Sequence, residues 1–295
     1  MRILFIHGRG QQDKEEVILK NEWVSALRES FDKAGLIMPG ELVFDFPYFG
    51  NQLIALQQEY QEKIDSGEYR MRGPGLPEDP ALELEQQLLM ELAENAEIDL
   101  SAEPDTNEED YKSRDVQNSW PVITLARIID RWIAPGGNYS IRKKTKDVAA
   151  YLAVGFIRND INHFVRSFIS DQPTIIIAHS LGTIIAYDVL SHLHAEHCDI
   201  RGLITLGSPL GVKAVKRQLP QGVRRPEALH GDWLNIYDTR DIVSLYPLDE
   251  RHFNISPPVK NIVGINATEN RHGISQYLND PEIAIMITKL LLTGF

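Results

Sequence analysis

Cysteine is nearly missing from this 295-residue chain: Cys198 stands alone, so no intrachain disulfide can form and a reducing compartment suits the protein. No run approaches the roughly 20 apolar residues that a membrane-spanning helix needs. Met1 to Ile6 is apolar but too short for a signal-peptide core, and it runs straight into a Gly-containing turn. Positive charge is in deficit, with 30 Lys and Arg against 42 Asp and Glu, for a formal net charge of −12. That balance argues against nucleic acid as a partner, because phosphate recognition shows as a basic excess on one face. No internal repeat is present. The expectation is a cytoplasmic protein with no integral membrane segment, which leaves room for no more than transient contact with a lipid surface.

What is there is ordinary for a folded globular protein. A composition of 43% hydrophobic and 24% charged residues excludes a disordered or collagen-like chain. The acidity is concentrated: residues 78–110 hold 13 Asp and Glu and no Lys or Arg, which leaves the remainder near neutral. Such a run reads as a solvated face or a loop.

Short apolar runs at Ile3 to Ile6, Leu42 to Phe46, Thr174 to Ala178, Gly202 to Leu206, Leu234 to Tyr237 and Asn261 to Ile265 read as strands. The run at 174–178 lacks alternation, as befits a central parallel strand covered on both faces. Amphipathic helices are expected over 14–33, 181–194 and 281–292, with a long helix, kinked along its length, over 140–169. Strands alternating with helices predict a doubly wound, mostly parallel α/β sheet built from 1–50 and 140–295. Residues 51–139, rich in Gln, Glu and Leu and broken by the Pro/Gly stretch 73–80, read as a helical cap inserted into it.

The segment Ile175-Ile176-Ile177-Ala178-His179-Ser180-Leu181-Gly182-Thr183 places a serine at a strand-to-helix turn between small residues. This is the pattern of a nucleophile elbow, with Ala178 where Gly is usual; the tight turn needs small neighbours and lifts the Ser180 hydroxyl to the sheet's carboxyl edge. The helix that follows aims its N-terminus at the oxyanion of an acyl transfer, so Leu181 N–H is one expected donor. The loop His7-Gly8-Arg9-Gly10 should offer the second, at Arg9. A general base and its orienting acid should follow in chain order. Asp241, just past the strand at 234–237, is favoured over Asp238, which better suits a turn hydrogen bond. His272, in Asn270-Arg271-His272-Gly273, is the expected base and His252 the reserve. His179 is assigned no proton transfer. His192, His194, His197 and Cys198 do not make a metal site, since positions two apart on a helix point to nearly opposite sides.

These residues resemble the α/β-hydrolase superfamily over nearly the whole chain outside the insertion. Ala178 to Gly182, with Asp188 in Tyr187-Asp188-Val189-Leu190, is similar to intracellular lipases and phosphatidic-acid-preferring phospholipases; Trp233 to Val243 is similar to lipase-like relatives of the inositol deacylase that processes lipid anchors. The resemblance implies a Ser180–His272–Asp241 triad cleaving carboxylic esters of lipid or acyl-chain substrates through an acyl-enzyme, with no cofactor or metal. A thioesterase or acyltransferase runs on the same triad, and a non-catalytic interaction module can share the fold. Tyr48, Phe49, Trp120 and Trp132 are candidates to line an acyl pocket, although aromatics there serve equally as core. The apolar helix at 121–133 either packs permanently or acts as a lid.

Overall fold

The computed structural model describes residues 1–8, 15–69, 79–100, 114–133 (side chains from 122 onward), 140–244, 246–264 and 271–292. Its centre is a six-stranded, all-parallel sheet of β1 (Arg2–Ile6), β2 (Val43–Asp45), β3 (Thr174–His179), β4 (Ile200–Leu206), β5 (Trp233–Tyr237) and β6 (Lys260–Val263), in the order β2-β1-β3-β4-β5-β6. Ile3 to Ile6 and Ile175 to Ala178 are wholly buried, which is why these strands read as unbroken apolar runs. Register places Ile6 beside Ala178 and Ala178 beside Thr205.

Strand alternation divides the sheet's two faces. Ile3, Phe5, Ile175, Ile177, Ile204, Leu206, Leu234 and Ile236 share one core cluster with Trp23, Leu27 and Phe31 of α1 (Glu16–Lys33). Tyr277 of the short helix over Ile274–Leu278 and Ile283 and Ile287 of the helix over Pro281–Leu292 complete that layer. The helix over Leu181–Ser191, buried along its whole length, lies outside the cluster and packs on β3 and β1. From β1 the chain steps to one side for β2 and returns on the other side at β3, so the strand order reverses between β1 and β3. In open α/β sheets, the crevice beyond the carboxyl ends at such a reversal is where ligands bind.

Two compact units divide the chain: Met1–Gln52, Asp160–Gly211 and Leu219–Phe295 form the first, Leu53–Asn159 and Val212–Gln218 the second. The sequence pattern divides at 50/51 and 139/140, whereas packing carries the second unit on to residue 159. The cause is side-chain contact. After α2 (Gly50–Asp65), α3 (Pro80–Asn95) and α4 (Arg114–Ile133), the helix α5 (Ile141–Ala153) packs on α3, where the hydroxyl of Thr145 donates to buried Glu85 at 3.3 Å and Arg142 lies 3.6 Å from the same oxygen. The helix expected over 140–169 is in fact two, α5 and α6 (Gly155–Arg166). Val154 takes an extended conformation between them, at φ −106° and ψ 104°.

The acidic run is only partly a solvated face. Its first half is α3, which buries Leu84, Leu88, Leu89, Leu92 and Glu85. Carboxylates here and nearby hold helix starts, where free N–H groups and the dipole favour negative charge. Asp79 caps α3 through Leu82 N–H at 2.9 Å and takes the Tyr60 hydroxyl at 2.7 Å; Asp130 takes Ile141 N–H at 2.6 Å at the start of α5. The run's second half, 101–110, lies outside the described residues. Between β4 and β5 lies a short helix over Lys213–Arg217. Numbering on, α7 is Leu181–Ser191, α8 Lys213–Arg217, α9 Ile274–Leu278 and α10 Pro281–Leu292. No helix among the described residues is long and apolar enough to cross a membrane.

Candidate active site

Ser180 occupies the turn between β3 and α7 with φ 53° and ψ −125°. A non-glycine residue at positive φ costs on the order of 1–3 kcal/mol, so the surroundings must enforce the geometry. They do so through backbone and packing. Ser180 N–H donates to Leu206 C=O at 3.0 Å, and Ser180 C=O accepts from the Thr183 hydroxyl at 2.7 Å and its N–H at 2.9 Å. The Ser208 hydroxyl lies 2.8 Å from that of Thr183 and buttresses it in turn. The start of α7 presses on the end of β1 so closely that a Cβ at Gly182 would collide with the Ile6 carbonyl. A Cβ at Gly8 would stand 2.8 Å from Ser180 Cβ. Both glycines are required by close approach, and together they bring the loop after β1 against the serine.

His272 joins the serine to an acid. Its Nε2 lies 2.7 Å from Ser180 Oγ and its Nδ1 2.6 Å from Asp241 Oδ2. An ionised carboxylate only accepts, so Nδ1 carries the proton donated to Asp241 and Nε2 presents its lone pair to the Ser180 hydroxyl. All three side chains are buried. Asp241 is held by further donors: Val243 N–H at 3.1 Å on Oδ1, and the hydroxyls of Ser244 at 3.0 Å and Tyr277 at 2.9 Å on Oδ2. These bonds compensate a charge removed from water. Asp238 accepts instead from Arg240 N–H at 2.9 Å and from its guanidinium, so it fixes the turn. His179 Nε2–H donates to His272 C=O at 3.0 Å, and the two rings lie 4.8 Å apart; it holds the His272 backbone from behind. His252, the reserve base, is taken up by Asp249 at 2.8 Å and stacks on Tyr246.

Leu181 is the first residue of α7, so its N–H has no acceptor within the helix and lies next to Ser180. Arg9, expected to provide the second donor, lies outside the described residues; its neighbour Gly8 is in place against Ser180. The residue that sets this loop is His7. Its Nε2 accepts from Phe49 N–H at 3.1 Å, so the proton must sit on Nδ1, which donates to Gly8 C=O at 2.6 Å. Burial pushes the imidazole down to about 4, against the opposing pull of the Gly8 bond. It is therefore neutral near pH 7.

Of the aromatics considered for a pocket, Phe49 is fully buried and stacks flat on His7, with centroids 3.9 Å apart, so its visible part is to brace the loop after β1. Tyr48 is half-buried beside the same ring, its hydroxyl turned to Asn51. Trp132 is 53% exposed on α4, whose Val122, Ala126 and Ile129 are buried, and Trp120 lies outside the described side chains. Tyr277, Ser244 and His7 are the site residues that the sequence did not reveal. Tyr277 belongs to no local motif, Ser244 shows only as a turn serine three residues past Asp241, and His7 shows only as part of a common Gly-containing turn. Among the described residues, no group of three or more His, Cys, Asp or Glu is placed to hold a metal ion. Compared with known proteins, the chain matches no family model, no curated protein and no solved structure.

Proposed function

We propose that the chain is a serine hydrolase of the α/β-hydrolase fold, in which Ser180, His272 and Asp241 cleave a carboxylic ester through an acyl-enzyme. The observation that carries this reading is the unbroken chain from Ser180 Oγ through His272 to Asp241, at 2.7 and 2.6 Å, on a serine held at φ 53°. A packing serine needs neither the strained turn nor the aligned imidazole.

In this reaction Ser180 Oγ bonds to the acyl carbon while His272 Nε2 takes its proton. Asp241 stabilises the imidazolium and keeps the ring oriented. Negative charge gathers on the former carbonyl oxygen, where Leu181 N–H and the positive end of α7 favour it. Collapse breaks the ester C–O bond, and the proton on Nε2 passes to the leaving alkoxide. Water then attacks the acyl-enzyme, gives its proton to His272, and releases the acid with Ser180 restored. Lipid or acyl-chain esters are the preferred substrate class, on the resemblance around Ser180.

Intact mass after fluorophosphonate treatment tests the proposal. One adduct on wild type and none on Ser180→Ala, with both chains giving the same circular dichroism spectrum, is the expected result. Equal labelling of the two chains, or none on wild type, overturns it. Turnover of p-nitrophenyl esters of increasing chain length then tests the acyl preference.

A further inference from the structure

Tyr277 is 1% exposed, and its hydroxyl sits between the two acids of the β5–β6 connection. It donates to Asp241 Oδ2 at 2.9 Å and accepts from Asp238 N–H at 3.2 Å. Asp241 Oδ2 is also the oxygen bonded to His272 Nδ1 at 2.6 Å. The Ser244 hydroxyl reaches the same oxygen at 3.0 Å and lies 3.0 Å from the Tyr277 hydroxyl. The phenol ring is fixed as well. Gly207, at φ 55°, lets the chain pass so close that a Cβ there would meet the ring at 3.1 Å and the His272 imidazole at 3.3 Å, and His179 packs against the ring with centroids 6.2 Å apart.

We infer that Tyr277, seconded by Ser244, is a positioning residue for catalysis: the two hydroxyls fix which Asp241 oxygen faces His272 and moderate how strongly that oxygen draws the imidazole proton. The inference rests on the hydrolase reading above. A carboxylate can rotate about its terminal torsion, and hydrogen bonds from two buried hydroxyls, one anchored by a backbone N–H, remove that freedom. Sharing Oδ2 among three donors also spreads its charge, so less of it acts on His272. Burial, and after it the charge of Asp241, holds the phenol well above its ordinary value, so Tyr277 remains a donor throughout the working range. The titratable groups around His272 are then Asp241, His179 and Tyr277.

The test is the pH dependence of fluorophosphonate labelling and of ester turnover in wild type, Tyr277→Phe and Ser244→Ala, with thermal melts alongside. Phe keeps the ring, so Tyr277→Phe should lower kcat roughly tenfold with KM unchanged. The acid arm of its profile, where His272 takes up a proton, should move to higher pH, because an unshared Oδ2 makes the imidazole more basic. Ser244→Ala should show a smaller shift in the same direction, and it decides the matter if Tyr277→Phe does not fold. Wild-type labelling with unaltered acid arms in the variants overturns this inference and leaves the hydrolase reading intact, as does a loss of kcat without movement of the acid arm. A wild type that takes no label at any pH overturns both.

Discussion

At the scale of single residues, His7 shows how a buried titratable group holds a backbone segment. Its neutral ring spans Phe49 N–H and Gly8 C=O, and protonation would turn the acceptor facing Phe49 into a second donor. Its value falls from 6.5 in the unfolded chain to about 4 in the folded one. As pH drops below 6.5 the unfolded chain therefore binds a proton that the folded chain refuses, and stability declines until about pH 4. The span corresponds to about 3 kcal/mol. His7→Gln cannot charge, so its urea midpoint should change less than that of wild type between pH 7 and pH 4.5; parallel curves would show that His7 is not the group responsible. Ser180, Asp241 and His272 were legible in the sequence because chain order and the small residues around a strand-ending serine are themselves consequences of the geometry. Tyr277 was not, because a hydroxyl that binds a carboxylate across 36 residues of sequence leaves no local pattern; Ser244, three residues past Asp241, was near enough but carries no signal that sets it apart from an ordinary turn serine.

At the scale of elements, the carboxylates of the second unit do more than solvate it. Glu91 of α3 takes the N–H groups of Lys213 and Ala214 at 2.6 and 2.8 Å, capping α8, a five-residue helix too short to persist without support. Glu91→Ala should cost about 1 kcal/mol, the usual value of an N-terminal cap, and an unchanged urea midpoint would show the cap to be idle. Apolar periodicity located α1, α7 and α10 and all six strands to within a few residues. It expected a kink within 140–169 but did not place the break at Val154, since Val148, Leu152 and Phe156 continue a helical spacing across it. The run that holds α3 read as a solvated face or a loop, because its thirteen acids outweighed the spacing of Leu84, Leu88 and Leu92.

At the scale of the whole molecule, His7 and Glu85 respond to pH in opposite directions. Burial raises Glu85 from 4.5 to about 7, with Arg142, Lys146 and the Thr145 hydroxyl pulling it back. The folded chain holds this proton more tightly than the unfolded one, so its contribution is full below 4.5 and is lost as pH rises through 7, a span of about 3 kcal/mol. Between pH 4.5 and 6.5, acid thus weakens the fold at His7 and strengthens it at Glu85. Glu85→Gln should leave the His7 effect unopposed, making melting temperature fall more steeply from pH 6.5 to 4.5 than in wild type; an equal or shallower fall would exclude the opposition. The sequence by itself determined what is local or periodic: the α/β class, the parallel strands and the Ser180 turn, because burial and tight turns write their requirements into neighbouring residues. Only the tertiary structure decided which side chains meet. It brought β1 beside β3 so that Gly8 touches Ser180, placed Tyr277 on Asp241, and drew α5 onto α3 around Glu85, since each contact joins segments whose separation along the chain carries no trace of their distance in space.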